Sequence, residues 1–286
     1  MPSYEAHAKL NLLLHVLGRE TSGYHQIETL FCRIRLADRI DIDPADTGIA
    51  LRVEGARLGS PADNLAYRAA TAFQQRTGIT LGVRITLHKQ IPAGSGLGGG
   101  SSNAAVMLRA LNELHERPLG SRALFETGAT LGSDVPFFVW GGALALGTGR
   151  GERLLGLPAL PVAPVLLVVP DRAIATADAY RALDAAREHG LVAARSGPSI
   201  APEMIGDWDH VAERAANDFE RVAFEQIPPL RRVQELLRNA GARIARLTGS
   251  GSAMFGVFME NAACERAARL VQSEFRNYKV IATETS

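Results

Sequence analysis

Apolar and polar residues alternate from Glu5 to Val16. Ala6, Ala8, Leu10, Leu12, Leu14 and Val16 fall on one side, and His7, Lys9, Asn11, Leu13 and His15 on the other. A period of two is that of a half-buried strand, so Lys9 and Asn11 share a face. After the turn-like ETSGYH, a second alternating run covers residues 26–36, and shorter strand-like pieces lie at 39–42 and 49–53, predicting an antiparallel, hairpin-rich start. Leu65, Ala69, Ala72 and Phe73 then recur at helical spacing, which predicts a helix over 64–77 stopped by Gly78. VRITLHKQI alternates again. A glycine-rich stretch follows it, then predicted helices at 102–114 and 121–131, and GSDVPFFVWGGALALGTGRGE reads as a turn, a strand and a hairpin.

Residues 151–164 form a proline-dotted connection, and a domain boundary is expected there, dividing the chain into 1–156 and 157–286. Beyond it come the buried strand VLLVV, helices at 176–188, 209–224 and 228–240, strands RIARL and AMFGVF around a TGSGS turn, a helix at 262–275 and the strand YKVIA. Strand, helix, strand, strand, helix, strand is the split βαβ order, and the whole chain reads as a two-domain α+β protein.

Composition changes this picture little. The 286 residues exceed the ~150 typical of one domain. A net charge of +1 offers no overall pull on nucleic acid or an anionic membrane, so an anion must be bound locally. Cys32 and Cys264 are far apart, without metal-like spacing, and are expected to be small buried residues. Glu5, Lys9 and Asn11 interrupt the N-terminus where a signal peptide needs an unbroken apolar core, and no stretch reaches the ~20 apolar residues of a spanning helix. A cytoplasmic protein is expected, with no membrane or nucleic-acid partner, as a monomer or weak homodimer.

IPAGSGLGGGSS, at 91–102, satisfies G-x-G-x-x-G through Gly94, Gly96 and Gly99. A dinucleotide-binding turn follows a continuously apolar strand, whereas Arg84, Thr86, His88 and Gln90 interrupt this one at every second place. No lysine follows the last glycine, so it is not a Walker A loop either. Glycines nevertheless let the backbone approach an anion, and Ser101 and Ser102 stand where a helix begins with its positive end outward. The pattern is that of a lysine-free phosphate cradle; a serine-capped surface loop is the plainer alternative.

PAGSGLGGGSSNAA resembles the central phosphate-binding motif of the GHMP kinases, small-molecule kinases named for galactose, homoserine, mevalonate and phosphomevalonate. AHAKLNLLLHV and LTGSGSAMFGVF resemble that family's other two motifs, in the same order along nearly the whole chain. AKLNLLLHV, GYHQIETLF, DNLAYRAA, GLGGGSSNAA, LGSDVPFF and GTGRGE are most similar to the branch that phosphorylates a cytidine-diphosphate-linked methylerythritol in non-mevalonate isoprenoid biosynthesis. Ser95 departs mildly, since family members often carry Gly or Ala there.

The resemblance implies an N-terminal ATP-binding, catalytic domain and a C-terminal substrate domain. It implies ATP at Pro92, Gly94, Gly96, Leu97, Gly98, Gly99, Gly100, Ser101 and Ser102, with Asn64 and Lys89 on the adenine side and Mg2+ bound through Ser101 or Ser102. It assigns Asp134 as the catalytic aspartate and Lys9 as the catalytic lysine; read alone, Asp134 fits a turn cap and Lys9 a solvated strand position. Tyr24, His25, Thr176 and Tyr180 are implied around the cytosine ring, with Asn11, Gly249 and Ser250 also on the acceptor. A homoserine- or mevalonate-type kinase, a non-catalytic nucleotide sensor on the same fold and a dinucleotide-dependent oxidoreductase are the competing readings. GYH and GSDVPFF speak against the first, Lys9 with Asp134 against the second, and the alternating strand against the third.

Overall fold

The computed structural model describes residues 2–21, 23–193, 195 and 197–286; Ser22 of the expected turn lies outside them. The chain divides into two interleaved compact units. One comprises residues 1–8, 36–93 and 98–142, the other 9–35, 94–97 and 143–286. Two long strands, β1 (Ser3–Arg19) and β2 (His25–Pro44), contribute to both. The boundary expected after residue 156 falls inside a strand, because 153–157 pairs with 144–148.

In the first unit, the C-terminal part of β2 runs antiparallel to β4 (Gly82–His88), with Arg39 opposite His88. Alongside, β3 (Gly48–Glu54) pairs with β4 in parallel, and helix α1 (Leu65–Thr77) makes the crossover between them. The hairpin-rich start was thus expected with one parallel pair too few, since a period of two does not reveal strand direction. The alternating pieces at 26–36 and 39–42 are likewise one strand. Asn64 begins α1 by accepting the Ala66 N–H on its side-chain oxygen. Helices α2 (Gly99–Leu114), α3 (Ser121–Leu131) and α4 (Val135–Trp140) complete the unit, with α2 packed on both α1 and α4.

Helix α4 corrects the strand expected in VPFFVW. A short apolar run reads equally as strand or helix; Pro136 in the first turn and the Gly141 N–H closing on the Phe137 carbonyl make it one helical segment.

In the second unit, β5 (Leu144–Thr148) pairs with β2 and with β6 (Arg153–Leu157). A second sheet holds β7 (Pro164–Val169), β8 (Ile244–Leu247), β9 (Met254–Val257) and β10 (Lys279–Glu284) in the order β10-β7-β9-β8, every pair antiparallel. With α5 (Thr176–Glu188), α8 (Pro229–Asn239) and α9 (Asn261–Glu274) it forms the split βαβ arrangement. Its core brings Leu166, Val168, Leu183, Leu230, Val233 and Phe258 together with Phe219, each such buried side chain worth about 1.5–3 kcal/mol. The single helix expected at 209–224 is two, α6 (Trp208–Arg214) and α7 (Glu220–Gln226). Asn217 breaks it by donating to the carbonyls of Leu247 and Gly249, while Ala216 and Asp218 bond the backbone of Leu14. Cys32 and Cys264 are buried free thiols, as expected.

Candidate active site

Strand β4 delivers the chain to Lys89, and the glycine stretch carries it into α2. The left-handed Gly98 (φ 72°) stands at the N-cap of α2 and supplies no side-chain cap, so the helix's first N–H groups are served by no capping side chain. Ser102 Oγ, in the first turn, is buried and has no hydrogen-bond partner. A buried oxygen without a partner is costly unless a ligand satisfies it. The turn before α4 lies alongside, because a Cβ on Gly132 would stand 3.9 Å from Ser101 Oγ. Asp134 is half-buried there and its side chain does not cap α4. Asn64 does serve as a cap, one residue from Leu65, whose side chain is beside Gly100.

Lys89 is held by a residue that the sequence reading did not single out. Asp38 is wholly buried and accepts four donors: the backbone N–H groups of Gln90 (2.7 Å) and Ile91 (2.9 Å), Asn103 Nδ2 (2.9 Å) and Lys89 Nζ. One carboxylate therefore ties down the chain before the glycine stretch and the helix after it. The readable signal was an acid at an inward strand position, since Asp38 alternates with the buried Ile34, Ile40 and Ile42.

In the second unit, Gly94–Leu97 pass close to the TGSGS turn. A Cβ on Gly96 (φ 83°) would meet the Thr248 carbonyl oxygen at 2.2 Å, so only glycine fits. The Ala253 N–H donates to the Ser95 carbonyl, and the Lys9 N–H to the Leu97 carbonyl. Lys9 is buried; its ammonium donates to Asn11 Oδ1 at 2.5 Å and lies 5.6 Å from the centre of the Phe31 ring. Asn11 Oδ1 also accepts the Gly249 N–H at 2.9 Å.

A second cluster of the same unit brings together His25, Tyr180 and Thr176, three of the four residues expected around the base. His25 stacks on Tyr180 with ring centroids 4.7 Å apart and bonds Asp184 Oδ1 at 2.8 Å. Thr176, Tyr180 and Asp184 lie at four-residue spacing on one face of α5, and the Thr176 hydroxyl meets that of Ser250 at 3.1 Å. Tyr24 remains 59% exposed, with the Arg150 guanidinium 4.0 Å from the ring centre and paired in turn to Glu20. Lys9 and Asp134 belong to different units.

Residues 64–142 match the family described as GHMP kinases N terminal domain, and 200–277 the one described as GHMP kinases C terminal. A 4-diphosphocytidyl-2-C-methyl-D-erythritol kinase of Chloroherpeton thalassium is 40% identical over 92% of this chain and 93% of its own. That of Moorella thermoacetica is 41% identical over 94% of both. The chain belongs to this family of GHMP kinases. A crystal structure of 4-(cytidine 5'-diphospho)-2C-methyl-D-erythritol kinase superposes on it with a TM-score of 0.82 at 36% identity, covering 100% of this chain and 99% of the other. A homoserine kinase of Cytophaga hutchinsonii shares this GHMP kinase's fold, with a TM-score of 0.71 at 17% identity. Among the described residues, no helix is long and apolar enough to cross a membrane, and no cluster of three acidic, histidine or cysteine residues forms a metal centre.

Proposed function

We propose that this kinase transfers the γ-phosphate of ATP to the 2-hydroxyl of 4-diphosphocytidyl-2-C-methyl-D-erythritol. The observation that carries the reading is the uncapped start of α2 with the partnerless Ser102 oxygen, in a chain about 40% identical to kinases so named. The exposed N–H groups and helix dipole receive the phosphates. Phosphoryl transfer needs the acceptor oxygen placed in line and the spreading charge neutralised, with little covalent help. Asp134 accepts the hydroxyl proton and holds the oxygen toward the phosphorus. Lys9, aimed by Asn11, supplies positive charge to the oxygens that gain negative charge in the transition state. Ser102, with Ser101 beside it, is suited to hold a Mg2+ that arrives with ATP and adds charge neutralisation. Tyr24, His25, Thr176 and Tyr180 receive the base. Asn64 and Lys89 act beside the nucleotide, each through its own hydrogen bonds to the fold. The two buried thiols suit a reducing cytoplasm.

Release of ADP, measured with 4-diphosphocytidyl-2-C-methyl-D-erythritol, mevalonate and homoserine offered separately, tests the substrate. ADP with the first alone is expected; turnover of either other alcohol at a comparable rate overturns the assignment. Asp134→Asn is expected to lose about 100-fold or more in kcat while still binding ATP, and near-normal turnover would remove Asp134 from its role.

A further inference from the structure

The orientation of one buried amide sets what Lys9 faces, and a threonine that the chemistry above does not use is one of the three groups that fix it. Thr29, Asn11 and Lys9 are all buried. The Thr29 hydroxyl donates its only hydrogen to the Leu13 carbonyl at 2.8 Å. Its oxygen is then left as an acceptor, and it takes Asn11 Nδ2–H at 2.7 Å. Asn11 Oδ1 must therefore point the other way, where it receives Lys9 Nζ and the Gly249 N–H, with the Thr248 hydroxyl a weaker donor at 3.5 Å. Turning the amide over would set Nδ2 against two donors, the Lys9 ammonium and the Gly249 N–H. It would also set Oδ1 against a hydroxyl whose hydrogen is already committed. Three contacts that are satisfied in one orientation fail in the other.

We propose that Thr29 is a positioning residue: its hydroxyl locks the Asn11 amide so that Oδ1 aims the Lys9 ammonium and pins Gly249 of the TGSGS turn. The proposal rests on the reading of Lys9 as the cation that acts in the transition state. On the β5 side Thr29 faces Gly147, and valine has the shape of threonine, so Thr29→Val removes the hydroxyl and changes little else.

Thr29→Val is expected to lower kcat about 10- to 100-fold, the effect of one misdirected buried donor, with KM for ATP and for the acceptor changed less than about threefold, since the interaction is made in the transition state. Thr29→Ser keeps the hydroxyl and is expected to stay within about threefold of the parent kcat. In an Asn11→Asp background both side-chain oxygens accept, no orientation remains to be set, and Thr29→Val is expected to cost less than about threefold more. An equal loss in both backgrounds, or a Thr29→Ser variant as slow as Thr29→Val, overturns the proposal in favour of a packing role. Lys9→Ala separates the two readings. Its inactivity beside a fully active Thr29→Val discards Thr29 alone, whereas full activity of Lys9→Ala discards the role of Lys9 and the proposal with it. Thermal melts accompany each variant, and should Thr29→Val fail to fold, Thr29→Ala against Thr29→Ser makes the same comparison.

Discussion

The chain holds two short glycine-rich loops, GSGLGGGSS at 94–102 and TGSGS at 248–252, and they are put to opposite uses. The first leads into a sixteen-residue helix that no side chain caps, and leaves Ser102 Oγ unpaired. The second joins two antiparallel strands, and its polar groups are bonded within the protein: Gly249 N–H to Asn11, the Gly249 carbonyl to Asn217 and the Ser250 hydroxyl to Thr176. Their anchors differ too. The first is tied before and after by the buried Asp38 carboxylate with its lysine; the second is gripped mainly by the neutral amides of Asn11 and Asn217. Composition alone therefore does not make a ligand cradle. What sets the first loop apart is unspent hydrogen-bonding capacity at a helix start, the property by which helix N-termini bind anions.

The largest effect is expected from Asp38→Asn. Removing one partner of a buried ion pair costs about 3–5 kcal/mol, and the new amide donor faces Lys89 and Asn103, so urea unfolding should show that loss with a KM for ATP raised severalfold or more. A variant as stable as the parent would refute the charged anchor. Gly96→Ala comes next. Its methyl would collide with the Thr248 carbonyl oxygen where the loops meet, on a backbone that L-residues avoid, and a loss of about 2–4 kcal/mol in the same experiment is expected. Gly94→Ala, whose methyl would meet only Ala173 Cβ at 3.5 Å, should cost about 1–2 kcal/mol.

For the second loop, Asn217→Ala leaves two buried carbonyls without their donor and should cost about 1–3 kcal/mol, less than Asp38→Asn, with ATP affinity by calorimetry unchanged. Ser102→Ala sharpens the contrast further. Because the oxygen has no partner to lose, the melting temperature should stay within about 2 °C of the parent while the KM for Mg-ATP rises; a clear drop in melting temperature without any change in KM would show the hydroxyl to be structural.

The smallest effect is one of pH. Glu220, whose carboxylate accepts the Leu247 N–H just before the second loop, has its pKa raised above the ordinary carboxylate value, chiefly by burial. A raised folded-state pKa means that the folded protein holds the proton more tightly than the unfolded chain. The stabilisation is complete below the unfolded value of about 4.5 and is lost as pH rises through the folded one. Melts from pH 4.5 upward should show the parent losing stability relative to Glu220→Gln; parallel curves would refute it.

Much of this was legible because local physics wrote it into residue order. Helix α1 followed from its apolar spacing, with Asn64 and Gly78 at its ends, and the split βαβ order of the second unit from alternating runs of 4 to 14 residues. Where local signals were degenerate, the reading slipped. VPFFVW is apolar throughout and so carries no period, and the break at Asn217 arises from bonds to Leu14, Leu247 and Gly249, distant in sequence.

The sequence by itself determined the secondary structure of most of the chain, the family motifs and the residue types at the proposed site, because periodicity, capping and glycine spacing are properties of neighbours along the chain. Only the tertiary structure decided which polar groups are already spent. Asp38 meets Lys89 and Asn103 from a strand far from both, Thr29 helps to fix the amide of Asn11 across a strand pair, and Gly96 is confined by Thr248. Hydrogen-bond satisfaction and steric exclusion depend on every group within a few ångströms, whatever its place in the sequence.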